Sequence, residues 1–150
     1  MTLIVEPGDP RDPQATALLT ASHTLMESLF PPEDNHFLSI DALCTPDIHF
    51  FVAREAATML GCAALADKTG YGELKSMFVA ESARGKGAAD ALMRQLEDQA
   101  RRLELPALKL ETGNLLYAAH KLYERHGFST CQPFGDYRAN DTSIFMEKRL

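Results

Sequence analysis

The segment best suited to chemistry is a turn of small and basic residues at positions 84–89, which read Arg-Gly-Lys-Gly-Ala-Ala. It follows the strand-like stretch 74–79 and opens the strongest helical pattern of the chain. The free N–H groups at the start of a helix carry partial positive charge, and small residues let a ligand approach the backbone. Together with Arg84 and Lys86, this turn predicts a site for a phosphate or pyrophosphate. A glycine-capped turn with solvated basic residues is the purely structural interpretation.

Two nucleotide-binding motifs do not account for this turn. The Walker A pattern requires Ser or Thr after Gly-Lys, whereas Gly87 follows Lys86. The glycine pattern of dinucleotide-binding folds would use Gly85 and Gly87, but Asp90 stands where its third glycine belongs. That pattern also follows the first strand of a parallel unit, whereas this turn follows a predicted meander.

Strands and helices alternate along the whole chain. Apolar patterns and chain breakers predict seven strands, at residues 2–6, 48–54, 59–67, 73–79, 107–111, 128–131 and 143–148. Helical spacing predicts a first helix from Pro13 to the Pro31-Pro32 pair, with an inward face that includes Met26 and Leu29, and further helices at 37–43, 85–104 and 115–126. A meander followed by one β-α-β crossover implies an α/β (α+β) fold with a mixed, mostly antiparallel sheet covered by helices.

Composition narrows the classes of partner. The 150 residues, 45% hydrophobic and 24% charged, predict one folded domain spanning 1–150. A net charge of −6 lacks the positive field that nucleic-acid binding requires. The apolar run 56–66 is shorter than the ~20 residues that span a bilayer, and no signal-peptide core precedes Pro7, so we expect no membrane partner and a cytoplasmic location. Three isolated cysteines without a CxxC pair predict reduced thiols and no metal.

Two motifs in order resemble the GNAT superfamily of acyl-CoA-dependent N-acyltransferases. Arg84, Gly87 and Ala89 match its pyrophosphate loop, Gln/Arg-x-x-Gly-x-Gly/Ala. Residues 110–114, Leu-Glu-Thr-Gly-Asn, and 122–128, with the pattern Leu-Tyr-Glu-x-x-Gly-Phe, are similar to its later strand and helix. Residues 30–33, 73–75 and 134–137 further resemble small stand-alone bacterial members. The resemblance covers essentially the whole chain and implies the GNAT fold, with about seven strands and about four helices.

The resemblance implies a groove for acetyl-CoA, the acyl donor. In that family the fourth and fifth strands splay apart and the pantetheine arm lies between them. The residues that would contact the cofactor through backbone or side chain are Met77, Phe78, Val79, Arg84, Gly85, Lys86, Gly87, Ala88, Ala89, Asn114 and Tyr123. One N–H of the 77–79 stretch would also polarise the thioester carbonyl.

The resemblance also implies an acid and a base. An alkylammonium with a pKa of about 10.4 is almost entirely protonated at neutral pH, so a base or a water relay must remove a proton before attack. Glu73 stands where some members carry that base; its structural interpretations are an exposed strand-end carboxylate or an ion pair with Lys75. Tyr123 matches the tyrosine that protonates the leaving thiolate, although its spacing also suits a core aromatic.

The acceptor pocket of such enzymes involves the first helices and the late strands, here residues 30–37 and 134–138. Phe30, Glu33, His36 and Tyr137 are therefore candidate substrate contacts. Acidic side chains in these stretches, Glu33 among them, favour a cationic amine. The implied function is direct transfer of acetyl to a primary amine of an unidentified small molecule or peptide, in a ternary complex. The alternative is an inactive acyl-CoA sensor or regulatory module; homodimerisation is common in such folds, and the sequence shows no diagnostic interface.

Overall fold

The fold consists of one sheet with helices on both faces. A computed structural model describes residues 2–150. Within these residues seven strands form: β1 Leu3–Pro7, β2 Ile48–Glu55, β3 Thr58–Lys68, β4 Tyr71–Val79, β5 Ala107–Gly113, β6 Ser129–Thr130 and β7 Ser143–Arg149. The same residues form four α-helices: α1 Pro13–Leu29, α2 Ile40–Leu43, α3 Ala88–Arg102 and α4 Tyr117–Arg125. The predicted order of elements is confirmed.

The sheet has the strand order β1-β2-β3-β4-β5-β7-β6. Every neighbouring pair is antiparallel except β4 and β5, which are parallel because α3 carries the chain back between them. The predicted mixed, mostly antiparallel sheet is therefore confirmed. The single parallel pair lies in the middle of the sheet, between β3 and β7.

Two hydrophobic cores lie on opposite faces of the sheet. On one face, α3 contributes Leu92, Met93 and Leu96 to a core that also contains Tyr123 of α4. On the other face, Leu18 and Leu19 of α1 pack against alternating residues of β2 and β3. Residues 60–66 of β3 are all buried, because helices cover this strand on both faces.

Helix α3 begins three residues later than the spacing predicted. Gly85 and Gly87 take positive φ angles of 82° and 81°, so neither continues into the helix, and Gly87 becomes the N-cap. The helix ends at Arg102, and Glu104 with φ 59° turns the chain toward Pro106. The small-residue turn therefore stands outside the helix and leaves the first amides of α3 free.

Two further predicted boundaries and one predicted inward-facing residue are wrong. Helix α2 begins at Ile40 rather than at 37, because the Ser39 hydroxyl caps it by accepting from the Ala42 amide. The strand predicted at 128–131 pairs only over Ser129–Thr130. Leu29, placed on the inward face of the first helix, is 37% exposed, since Phe30 takes the buried position at the end of that helix.

Candidate active site

The parallel strands β4 and β5 pair at one end and separate at the other. Gly72 pairs with Leu108 and Glu73 with Lys109, after which the two strands continue without pairing with each other. A cavity of about 110 Å³ lies at this opening, which we call the cleft. Met77 of β4, Glu111 of β5 and Tyr123 of α4 line it together. Separated strands leave backbone groups and side chains free to bind a ligand.

A β-bulge in β4 accompanies the separation. Cys62 of β3 pairs with Phe78 and Ala64 pairs with Lys75, so Ser76 and Met77 share one position of the ladder. Ser76 has a φ of 56°, an unusual conformation for a residue with a side chain. The Cys62 thiol donates a hydrogen bond to the Ser76 carbonyl at 3.5 Å. Burial raises the pKa of this thiol to about 12. Cys62 is therefore held as a thiol, which does not suit a nucleophile.

The predicted anion site is open and accessible. A Cβ placed on Gly85 or Gly87 would meet nothing within 4 Å, so a ligand has room beside the backbone. Arg84 is exposed, while Lys86 pairs with Glu55 of β2 at 3.3 Å. In the first turn of α3 the Asp90 carboxylate bonds His126 at 2.7 Å and Arg125 at 2.9 Å, and these contacts lower its pKa. The acidic charge nearest the free amides is thereby compensated.

Glu73 lies inside an ionic network and is not an exposed strand end. The residue is 4% exposed, and its Oε2 accepts from the Tyr137 hydroxyl at 2.5 Å. Lys75 Nζ lies 3.4 Å from the same oxygen and donates to the Tyr137 hydroxyl at 2.8 Å and to the His36 carbonyl at 2.9 Å. The ion pair with Lys75 is thus confirmed. This network joins β4 to residues 30–37, the acceptor segment, and to the loop before β7.

Tyr123 combines a buried ring with a free hydroxyl. It is 6% exposed, packs 6.0 Å from the Phe128 ring, and lines the cleft. Among residues 2–150 its hydroxyl has no hydrogen-bond partner. Burial and the nearby charge of Glu111 raise the pKa of Tyr123. The phenol is therefore protonated at neutral pH and able to donate.

Glu111 is a candidate that the sequence reasoning missed. Leu108 and Leu110 of β5 are buried in the core beneath α3, so the alternating position Glu111 faces the other side of the sheet. Its carboxylate accepts from the Ser143 hydroxyl at 2.8 Å. Burial raises the pKa of Glu111, against the lowering effects of Ser143, His36 and Lys75. The alternating pattern of β5 was visible in the sequence and separates Glu111 from the core residues. Only the position of the cleft shows that Glu111 is a candidate site residue.

A second, larger cavity of about 870 Å³ adjoins the cleft, and we call it the bowl. Three of the four predicted substrate contacts line it: Glu33, His36 and Tyr137. His36 and Lys75 line both cavities and so mark the passage between them. The fourth, Phe30, lines the cleft instead, and its ring lies so close to Gly113 that a Cβ there would overlap it.

Three other predicted cofactor contacts, Phe78, Val79 and Asn114, each contact a different part of the chain. Phe78 packs against the core on the α1 face and Val79 against the core on the α3 face, so only their backbones are available to a ligand. Asn114 donates from Nδ2 to the Asp141 carbonyl at 3.2 Å, and within the described chain its buried Oδ1 has no partner. An unpaired buried acceptor of this kind suits an amide donor on a ligand.

Comparison with known proteins agrees with this architecture. The model of the acetyltransferase (GNAT) family matches residues 16–128. An IAA acetyltransferase from Azospirillum brasilense is 46% identical over 124 residues, covering 81% of each chain. The uncharacterized N-acetyltransferase YsnE of Bacillus subtilis is 36% identical over 140 residues, covering 91% of this chain and 93% of its own.

Solved structures show the same fold over the full length. A Klebsiella pneumoniae protein assigned to the acyl-CoA N-acyltransferases has a TM-score of 0.84 at 29% identity and covers 99% of this chain and 98% of its own. The PaiA N-acetyltransferase of Thermoplasma acidophilum, solved with coenzyme A, has a TM-score of 0.77 at 15% identity and covers 100% of both chains.

A splayed parallel pair beside an open helix N-terminus defines an acyl-CoA-dependent N-acyltransferase. With the family match over 16–128, this chain belongs to the GNAT acetyltransferase family, and its acyl donor is acetyl-CoA. The residues present fit that donor, since Gly85 and Gly87 leave an open cradle and Asn114 has a free acceptor. No helix within residues 2–150 is long and apolar enough to cross a membrane. The same residues include no cluster of side chains that could hold a metal ion.

Proposed function

We propose that the protein transfers acetyl from acetyl-CoA to a primary amine by direct attack in a ternary complex. The observation that carries this proposal is the shared wall of the two cavities. His36 and Lys75 line both the cleft and the bowl, so a donor in the cleft and an acceptor in the bowl would meet at these residues. Direct transfer requires such a meeting, because the reacting atoms must come within about 3–3.5 Å of each other.

The donor side of the proposal rests on backbone groups. When bound, acetyl-CoA supplies a thioester carbonyl that an amine can attack. The amides of residues 77–79 would hold the pantetheine arm, and those of 85–89, with Arg84, would hold the pyrophosphate. Asn114 would accept from an amide of the arm. Tyr123 would donate a hydrogen bond to the departing sulfur, because its raised pKa keeps the phenol protonated at neutral pH.

Two carboxylates are candidates for the base. Glu73, which the family resemblance indicates, is engaged by Tyr137 and Lys75, and its role as base stays a prediction. Glu111 lines the cleft, has one neutral hydrogen-bond donor, and has a raised pKa, which brings it closer to the operating pH of a general base. We therefore assign the proton transfer to Glu111 and the orientation of Lys75 and Tyr137 to Glu73.

The acceptor is proposed only as an amine. Lys75 lies beside Glu73 and offsets its charge. Glu111 lines the cleft and Asp34 lines both cavities, and negative charge of this kind suits an ammonium group. The inactive-sensor alternative gains no support from a cleft that contains Tyr123 and Glu111. Acceptor identity, homodimerisation and a cytoplasmic location stay predictions.

A thermal-shift titration with acetyl-CoA, CoA, ATP and NAD tests the donor. Acetyl-CoA at 100 times its Kd should add about 2.7 kcal/mol of stability, or roughly 5–10 °C in Tm. A panel of small amines and peptides, followed by thiol release, then tests turnover. A shift with ATP or NAD alone would contradict the proposal, and CoA binding without thiol release for any amine would favour the sensor.

A further inference from the structure

Ser76 has a backbone conformation that its side chain makes costly. It occupies the extra position of the β4 bulge with φ 56°, a region that favours glycine. The Cys62 thiol bonds its carbonyl at 3.5 Å, which helps hold the bulge in place. Strained non-glycine residues persist where the surrounding structure constrains them, and such positions concentrate at functional sites.

The Ser76 hydroxyl is also unsatisfied. Its Oγ is buried and has no hydrogen-bond partner in the part of the chain that the structure describes. A buried hydroxyl without a partner is unfavourable, and glycine at this position would avoid both this cost and the backbone strain. Ser76 lines the cleft, and rotation about its χ1 angle moves Oγ between staggered positions, so a ligand in the cleft can supply the missing acceptor.

The neighbours of Ser76 indicate which part of a ligand would lie beside it. Met77, on one side, begins the 77–79 stretch assigned to the pantetheine arm. Lys75, on the other side, lines both cavities at the passage through which the amine would enter. The reacting carbonyl must lie between the arm and the amine, and Ser76 stands at that point of the strand.

We propose that the Ser76 hydroxyl donates a hydrogen bond to the carbonyl oxygen of the donor's acyl group. This inference rests on the proposed function, and it adds a side-chain donor to the backbone N–H groups of the same strand. A donor aimed at this oxygen becomes stronger as negative charge develops on it during attack. Ser76 would then distinguish acyl-CoA from free CoA, which has no such oxygen.

The test measures the Kd of acetyl-CoA and of CoA by calorimetry for the wild type, Ser76→Ala and Ser76→Gly. One neutral hydrogen bond predicts an acetyl-CoA affinity about 2- to 10-fold weaker in both variants, with CoA affinity unchanged. Ser76→Gly guards against misfolding, because glycine accepts the positive φ, and its Tm should equal or exceed that of the wild type. Ser28→Ala, at an exposed serine near the end of α1, is the matched control and should change neither affinity.

Equal losses for acetyl-CoA and CoA would overturn the inference, because the hydroxyl would then bind a part common to both. Unchanged affinities would overturn it as well. Recovery of acetyl-CoA affinity in Ser76→Gly but not in Ser76→Ala would assign the effect to the backbone conformation at this position. That result would also overturn the inference. If the wild type bound neither molecule, the proposed function itself would fail, which the wild-type titration alone reveals.

Discussion

The two strands that border the cleft each carry a glutamate, and the surroundings of the two carboxylates differ: Glu73 lines the bowl and Glu111 lines the cleft. Glu73 of β4 is buried against Lys75 and receives a hydrogen bond from Tyr137 at 2.5 Å. Glu111 of β5 has the Ser143 hydroxyl at 2.8 Å, and burial raises its pKa. A carboxylate with its own cation is held in the charged form, whereas a desolvated one takes up a proton more readily. The position of a glutamate on its strand therefore does not decide whether it can act as a base. The residues that other elements place beside it decide this.

The largest expected effect comes from exchanging the proposed base. Glu111→Gln should lower kcat/KM by about 100-fold or more, because removal of a general base typically costs 10²- to 10⁴-fold. In the wild type, the rate should increase as the pH rises through the raised pKa of Glu111. This increase is the acidic limb of the pH profile, and the variant should lack it. The measurement is thiol release against pH with an amine identified in the panel.

Glu73→Gln is the matched change on the other strand. It should keep the acidic limb and act mainly on the KM of the acceptor, through Tyr137 and His36. A full loss of the acidic limb in Glu73→Gln, with Glu111→Gln retaining it, would reverse the assignment and restore Glu73 as the base.

Removal of the Glu73 partner should produce the next largest effect, on stability. Lys75→Met leaves a buried carboxylate without its cation, and breaking such a pair costs about 3–5 kcal/mol. The Tm should fall by roughly 10 °C in thermal denaturation. The double variant Glu73→Gln/Lys75→Met should recover much of this loss, because it removes the unpaired charge.

Lys109→Met provides a comparison on β5. Lys109 lies 3.8 Å from Glu147 in a more exposed pair, so its loss should cost about 1 kcal/mol. Equal destabilisation by the two lysine variants would show that the buried pair of Lys75 contributes no more to stability than the more exposed pair of Lys109.

Tyr123→Phe should have a smaller effect, and a kinetic one. A thiol has a pKa of only about 8.5, so its thiolate leaves without full assistance, and we expect about a tenfold fall in kcat. The Kd of acetyl-CoA and the Tm should hold, since within the described residues the hydroxyl makes no hydrogen bond that the substitution would remove. Unchanged transfer across the pH range would remove Tyr123 from the role of acid.

The smallest expected effect is the pH dependence of stability at Glu111. Its pKa is raised in the folded state, so folding favours the protonated form; this contribution is present below the unfolded pKa and is lost as pH rises through the folded pKa. The change in Tm caused by Glu111→Gln should therefore be more favourable at neutral pH than at acidic pH. The measurement is the difference in Tm between wild type and variant at both pH values. A variant that is destabilised more at neutral than at acidic pH would contradict the raised pKa.

Much of the fold was predictable from local patterns. The element order and the mixed sheet follow from strand and helix periodicity, and Gly85 and Gly87 indicated the open turn before α3. The errors lie at ends, as at α2, because a cap such as Ser39 or a contact such as Lys75 with the His36 carbonyl decides where a helix starts. The Ser39 cap is local, whereas the contact of Lys75 with His36 joins residues 39 positions apart, which no short window of sequence contains.

The sequence by itself determined the order of the elements and the open glycine turn before α3, because glycine conformation and strand alternation are properties of neighbouring residues, and its two motifs indicated the family. Only the tertiary structure decided which other elements surround each carboxylate. The Tyr137 bond to Glu73 joins residues 64 positions apart, and the Ser143 bond to Glu111 joins residues 32 positions apart. Charge, burial and hydrogen bonding act through space, so the chemistry of a glutamate is set by the strands and loops folded against it.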